Sequence, residues 1–245
     1  MKTLLVLGAG KEQMIAIALA KHKQIHTIVL DRNPKAEGRA AAGEFHAVST
    51  RDRNAVLEFV RNYKDRIDGV MTIASDIPHI VSSAAEIRGV PHIPVPVAEL
   101  CVHKLRMKER LQGAEINVPA FASVKGVEEL EAFISGVGYP VVIKPVDNSG
   151  ARGVLRLAGK TDLFQAFAYA SRFAFSGEVM AEKFVEGHQI STEGLVLNGI
   201  LHCTGFADRN YSRLSDADPF MIEDGGDIPT ALADAERKKV EAEFE

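Results

Sequence analysis

Lys144 closes a run of β-branched residues, Val141-Val142-Ile143, and an ammonium group at the end of such a strand is costly to bury unless an anion compensates it. A phosphate would do so. Just beyond it, Asp147-Asn148 leads into Ser149-Gly150-Ala151-Arg152-Gly153. That stretch can offer backbone N–H groups, a hydroxyl and a guanidinium to phosphate oxygens, with the glycines letting the turn close over a ligand. Taken singly, the lysine reads as a surface residue whose stem lies along the strand, and the loop as a plain hairpin tip. A third piece is Val179-Met180-Ala181-Glu182-Lys183-Phe184-Val185-Glu186-Gly187, where an apolar strand runs into an acceptor, an aromatic ring and extended backbone. Such a segment can hydrogen-bond an adenine edge and pack on its face. Lys104, near the start of a helical stretch, can add positive charge; alone it reads as a solvated helix residue.

The N-terminus invites two phosphate-binding signatures and completes neither. Gly8-Ala9-Gly10 follows an apolar run and Asp31 ends the next, but the third glycine of a dinucleotide fingerprint would fall at Gln13. A P-loop fails because Glu12 follows Gly10-Lys11 where Ser or Thr would hold magnesium, and Leu5 stands in place of the first glycine. Gly8 and Gly10 therefore read as a tight strand-to-helix turn, with close approach of a substrate as the functional alternative.

The elements that must position these residues fall into two patterns. Up to residue 96, short apolar strands at Leu4–Leu7, Ile28–Leu30 and Gly69–Ile73 alternate with helical stretches at 12–21 and 54–63, which predicts an α/β, Rossmann-like domain with a parallel sheet. Ser75-Asp76, after the third strand, would lie at the ligand edge of that sheet. Pro91, Pro94 and Pro96 interrupt the pattern and suggest a boundary, giving domains 1–96 and 97–245. After it come a helix from His103 to Leu111, an extended Val118–Phe121 and a helix carrying Val127, Leu130 and Ile134. A hairpin formed by 139–145 and Val154–Leu157 follows, with a helix from Asp162 to Phe173 packed on it, an α+β unit. Pro229 can open a last helix running through Ala231, Leu232, Val240 and Phe244, with no stop signal before Glu245. An unpunctuated helix suggests a polypeptide that stops or is cut inside a domain.

Composition narrows the classes. The chain of 245 residues is 46% hydrophobic and 25% charged, as soluble globular proteins are. A net charge of −4 without clustered Lys and Arg argues against nucleic acid as a partner. Cys101 and Cys203 give neither a disulfide framework nor a metal spacing, and no apolar run reaches the length of a membrane span or a signal segment. A cytoplasmic protein is expected, with no membrane partner.

In order, Lys104 with Leu111, Val118-Pro119, Gly138-Tyr139-Pro140 through Lys144-Pro145, the 149–153 loop and Glu182 through Gly187 resemble the ATP-grasp superfamily, in the branch with biotin carboxylase and carbamoyl-phosphate synthetase. The first hundred residues resemble its preATP-grasp domain. The resemblance implies that Lys104 and Lys144 contact ATP phosphates and that Ser149, Gly150, Ala151, Arg152 and Gly153 close over the triphosphate. Glu182 would accept the adenine amino group, Lys183 and Val185 would read the adenine edge through their backbone, and Phe184 would line the base pocket. Gln189 stands where many members carry a ribose-binding glutamate; Glu193 is a second candidate for that role. Arg209 resembles a basic residue near the phosphates, and equally fits a surface salt bridge with Asp208 or a neighbour. Gly8, Gly10, Ser75, Asp76 and Arg209 are candidates for the substrate side.

The implied activity is ATP-dependent carboxylate-amine or carboxylate-thiol ligation through an acyl phosphate, with Lys144 and Arg152 as the catalytic pair. The implied partners are ATP with Mg2+, a small carboxylate and an amine, and a homodimer is possible. The magnesium ligands are expected beyond Glu245, which makes this chain the ATP-binding portion of the enzyme. The alternatives are a non-catalytic nucleotide-binding or interaction module and, resting on Gly8, Gly10 and Asp31, a nicotinamide-dependent oxidoreductase.

Overall fold

The computed structural model describes residues 1–243; Phe244 and Glu245, to which the last predicted helix was extended, lie outside the described residues. The chain divides into two compact units, Met1–Met107 and Lys108–Glu245.

In the first unit, β1 (Thr3–Leu7), β2 (His26–Leu30), β3 (Glu44–His46) and β4 (Gly69–Met71) form a parallel sheet in the order β3-β2-β1-β4. Leu5, Val6 and Leu7 of β1 and Ile28, Val29 and Leu30 of β2 are all fully buried, the continuous apolar pattern of strands covered on both faces. Leu5, Leu7, Ile28 and Leu30 pack with Val56 and Val60 of α2 (Arg53–Asn62) and Ile80 of α3 (Pro78–Arg88). Val6 and Val29 pack on the other side with Ile17 of α1 (Lys11–His22). The strand order reverses direction between β1 and β4, and the loops after both strands open at the same sheet edge.

Two elements here escape the periodicity. The three residues of β3 are too few to show a pattern, and α3 buries Ser82 and Ser83 beside Ala84 and Ala85, which erases the contrast between its faces. The Pro-rich segment also behaves differently from expectation. It runs directly into α4 (Val95–Leu100), because Pro94 precedes the helix and Pro96 sits in its first turn, where the missing N–H has no partner to lose.

Helix α5 (Lys104–Gln112) spans the division between the units. In the second unit β5 (Phe121–Val124), β6 (Val141–Pro145), β7 (Leu155–Leu157) and β8 (Val179–Lys183) form an antiparallel sheet in the order β5-β8-β6-β7. Side chains alternate across it. Val141, Ile143, Leu155, Leu157, Val179 and Ala181 point into a core with Leu130 and Ile134 of α6 (Val127–Val137) and Ala166 and Ala170 of α7 (Leu163–Phe173). The opposite face therefore carries Val142, Lys144, Arg156 and Glu182.

A second antiparallel sheet, β11-β10-β9, follows. It is built from β9 (Ile190–Leu197), β10 (Ile200–Asn210) and β11 (Gly225–Asp227), with Asn198 and Gly199 turning at φ of 54° and 80°. The last helix, α8 (Asp234–Ala242), starts later than Pro229. The intervening residues are tied to β10 instead: the Thr230 N–H donates to the Phe206 carbonyl at 3.0 Å, and the Thr230 hydroxyl and the Ala231 N–H both donate to Asp208.

Candidate functional site

The face of the first antiparallel sheet turned away from α6 and α7 holds a charged cluster. Lys144 on β6 and Glu182 on β8 lie on one face, Val142 standing opposite Glu182 and Lys144 opposite Met180 in the register. This places the Lys144 ammonium against Glu182 Oε1 in an ion pair. Lys108, from α5, reaches Glu182 Oε2 at 2.9 Å. All three side chains are nearly buried, with exposures of 13% for Lys108 and 14% each for Lys144 and Glu182. Two ammonium groups thus share one carboxylate, and one positive charge within the cluster is left unbalanced.

The electrostatics follow from that count. Burial pushes the Lys144 ammonium below its ordinary value; Glu182 pulls it back up, and the charge of Lys108 pushes it down again. Burial alone would raise Glu182, but the two lysines outweigh it and hold the carboxyl below the usual glutamate range. The two lysines thus keep the Glu182 carboxylate charged.

The loop after β6 is held from within. Asn148, buried, donates to the Phe173 carbonyl at 2.7 Å, while its own carbonyl oxygen accepts from the Ser149 N–H at 2.8 Å and from Arg152 Nε at 3.0 Å. Arg152 also donates to Ser149 Oγ at 3.1 Å, so its guanidinium folds back on its own loop. Asp147 anchors the base, accepting from the Phe175 and Ser176 N–H groups at 2.9 and 2.6 Å. Gly150, Ala151 and Gly153 all adopt positive φ. At Gly153 the constraint is also steric, because a Cβ there would stand 2.8 Å from Phe173 Cβ.

Beyond Glu182 the strand continues into a cleft of about 860 Å3, lined by Phe184, Val185, His188, Gln189, Arg209 and Tyr211 among others. The Lys183 N–H donates to the Ala120 carbonyl at 2.8 Å and its ammonium to the carbonyls of Gly138 and Tyr139, which pins the segment against the start of β6. Arg156 stacks its guanidinium 5.0 Å from the Phe184 ring centroid and fixes that ring. The Gln189 backbone carbonyl accepts from the Arg209 N–H at 2.9 Å, and Glu193 lies exposed further along β9. Arg209 pairs with Glu223, whose hydrogen bond raises the guanidinium further above its ordinary value. Its partner is therefore not Asp208, which instead binds Thr230, Ala231 and, at 3.0 Å, His188.

In the first unit Gly8 takes a φ of 110° and Gly10 precedes α1. The Gln13 side chain fills the turn: its oxygen accepts from the Gly10 N–H at 2.9 Å and its nitrogen donates to the Ile73 carbonyl. Asp31 accepts from the Ala9 N–H at 2.9 Å and the Asn33 N–H at 2.7 Å. The groups a dinucleotide would use are already engaged, and the nicotinamide reading loses its footing. Gln13 also links the Gly8–Gly10 turn to the segment that leads into Ser75 and Asp76, so these four residues share one sheet edge.

Sequence reasoning thus named both Lys144 and Glu182, which the fold brings together, and Phe184, Val185, Gln189 and Arg209, which share the cleft. It missed Lys108 and the organising role of Asn148. Lys108 was legible in one respect: it stands one helical turn after Lys104, the spacing at which two residues occupy one helix face. Among the described residues, no three His, Cys, Asp or Glu side chains gather where a metal ion could sit. No helix among them is long and apolar enough to cross a membrane.

Residues 104–197 match the family described as "Carbamoyl-phosphate synthase L chain, ATP binding domain". A formate-dependent phosphoribosylglycinamide formyltransferase of Paraburkholderia xenovorans (strain LB400) is 28% identical over 188 residues, 74% of this chain and 46% of the relative. The chain spans about half the length of the curated relatives it matches. The crystal structure of an L-amino acid ligase from Bacillus licheniformis superposes with a TM-score of 0.80 at 22% identity, covering 100% of this chain and 58% of the ligase. The biotin carboxylase domain of a Hydrogenobacter thermophilus 2-oxoglutarate carboxylase, solved with MgADP, ADP and bicarbonate, superposes with a TM-score of 0.76 at 20% identity, covering 99% of this chain and 56% of that domain.

Proposed function

This chain has the ATP-grasp fold, and on that premise we propose that it is the ATP-binding portion of a ligase that activates a carboxylate as its acyl phosphate and joins it to an amine. The observation that carries the reading is the Lys108–Glu182–Lys144 cluster, cations held nearly buried with less than their charge in counter-anion, set beside a loop of positive-φ residues and a cleft lined by Phe184 and Val185. A nucleotide matches those three parts in order: phosphates at the lysines and loop, base against Phe184, ribose near Gln189.

In the proposed reaction a carboxylate oxygen attacks the γ-phosphorus and the bond to ADP breaks. The amine nitrogen then attacks the acyl carbon and gives up a proton to solvent or to the departing phosphate, which leaves with the electrons of the C–O bond. Phosphoryl transfer asks the protein for positioning and charge compensation more than for covalent chemistry. Lys104 and Lys144 would offset charge on the transferring group, and Arg152 would join them once the 149–153 loop closes and excludes water from the acyl phosphate. The assignment rests on the lysines, Arg152 and the loop backbone. Residues 1–96, in this reading, form the preATP-grasp domain, with Gly8, Gly10, Ser75 and Asp76 as candidates for substrate contact.

Calorimetric titration with ATP or ADP plus magnesium tests the proposal. Saturable binding that is lost in Lys144→Ala and Glu182→Ala supports it; no binding, or binding that those substitutions leave unchanged, defeats it. An ADP-release screen against amino acids, bicarbonate and small carboxylates then separates a ligase from a module that binds nucleotide without turnover.

A further inference from the structure

We propose that Lys108 is a second phosphate-binding residue of this site, and that Glu182 holds Lys108 and Lys144 in reserve so that the base and the phosphates of a nucleotide bind cooperatively. The proposal deepens the ATP-binding reading and rests on it.

Three elements converge to make the cluster: α5 supplies Lys108, β6 supplies Lys144 and β8 supplies Glu182. A purely structural ion pair needs one cation for one anion. Here each oxygen of a single carboxylate faces its own ammonium, Oε1 toward Lys144 and Oε2 toward Lys108 at 2.9 Å, and neither lysine has solvent enough to replace the partner. The second lysine works against the first, since its charge disfavours the protonated form of Lys144. An arrangement in which one cation penalises another is relieved when a further anion arrives, and a polyphosphate carries several negative oxygens within the span of two ammonium groups.

The same geometry ties that event to the base. Lys144 hydrogen-bonds Oε1 and Lys108 stands 2.9 Å from Oε2, so each oxygen of the carboxylate already has an ammonium beside it. A neutral amino group of adenine competes poorly while both lysines remain on Glu182. Phosphates that draw the lysines away leave Glu182 free to accept from the base, and a base that engages Glu182 loosens the lysines for the phosphates. A purine carrying a carbonyl in place of the amino group would present an acceptor to the carboxylate and could not take part. Glu182 would therefore pass base identity on to phosphate affinity.

The experiment is calorimetry on the full chain with ATP, with inorganic tripolyphosphate, and with adenosine in the absence and presence of tripolyphosphate; circular dichroism establishes that each variant is folded. In the wild type, tripolyphosphate should tighten adenosine binding by about fivefold or more, the lower end of ordinary coupling between sites. Lys108→Met should weaken ATP about 10- to 100-fold, the range for losing one charge-assisted hydrogen bond, and Lys108→Arg should restore part of it. Glu182→Gln, which keeps the shape and removes the competing charge, should tighten tripolyphosphate while abolishing its effect on adenosine. ATP affinity in Lys108→Met within twofold of wild type would overturn the role of Lys108, and independent binding of adenosine and tripolyphosphate to the wild type would overturn the coupling. A wild-type chain that binds no ATP overturns the underlying reading itself.

Discussion

Glu182→Ala removes the one carboxylate that two nearly buried lysines share, and its consequence for stability can be worked through. With an effective dielectric constant of about 20, a pair at the 2.9 Å separation of Lys108 and Glu182 attracts by on the order of 6 kcal/mol before desolvation is counted. Most of that gross attraction is cancelled by the cost of taking the charges out of water. What truncation exposes is the uncancelled part, two ammonium groups with exposures of 13% and 14% and no partner. Breaking a buried pair from one side costs roughly 3–5 kcal/mol, and some relaxation of both stems toward solvent places the expectation near ~3 kcal/mol. Lys108→Met leaves the Lys144–Glu182 pair intact and should cost about 1 kcal/mol. Replacing the whole cluster, as Lys108→Met/Lys144→Met/Glu182→Leu, should recover most of the stability, because apolar side chains of similar volume carry no desolvation penalty. Urea unfolding reads these differences as shifts of midpoint at constant slope. A Glu182→Ala midpoint indistinguishable from wild type, or a triple variant no more stable than the single one, would refute the reasoning. A stable triple variant that no longer binds nucleotide would show that the charges serve binding and not the fold.

Three further outcomes follow from the same geometry. Gly153→Ala should destabilise by about 2 kcal/mol or more, since the new methyl meets Phe173 and Pro145 at a φ of 77°; Gly177→Ala, at a φ of 80° with open space around it, should cost only about 1 kcal/mol, and thermal melts of the two variants make the comparison. Gln13→Ala strips the Gly10 N–H and the Ile73 carbonyl of their partner and should cost about 2 kcal/mol in denaturant titrations, without creating any enhancement of NADH fluorescence. Because the folded protein holds Glu182 below the usual glutamate range, its contribution to stability is complete above that range and lost as pH falls through the lowered value. The stability gap between wild type and Glu182→Gln should accordingly shrink on acidification below about pH 4.5, a trend that midpoints measured across pH would reveal or exclude.

How much of this was legible in the sequence depended on whether burial left a period. The continuous runs at Leu4–Leu7 and Ile28–Leu30 announced covered parallel strands, and the apolar runs 141–143 and Val154–Leu157 either side of the glycine loop announced a hairpin, whose single core face only the fold shows. Helix α3 stayed hidden because, apart from Ile80, its buried positions are serines and alanines, and the β9–β10 hairpin because Leu195, Val196, Leu197 and Ile200 are apolar yet exposed. The chemistry divided in the same way. Lys144 stood out by ending an apolar strand and Glu182 by ending another, and their meeting needed only the pairing of β6 with β8. Lys108 looked like one charge among many on α5, since what distinguishes it is the tertiary placement that sets its ammonium against Glu182. Likewise nothing local distinguished Asn148 from an ordinary loop residue; its burial and its hydrogen bonds with Phe173, Ser149 and Arg152 appear only when the loop is folded. Gln13 offers the reverse case, a residue read as a missing glycine that turns out to be the plug of the turn it interrupts.

The most direct test is a crystal structure of the chain with a non-hydrolysable ATP analogue. The expected complex has the base against Phe184 with its edge at Val185, the phosphates between Lys144, Lys108 and the 149–153 loop, and Glu182 released from at least one lysine. A nucleotide bound elsewhere, or one that leaves both ammonium groups on Glu182, would contradict it.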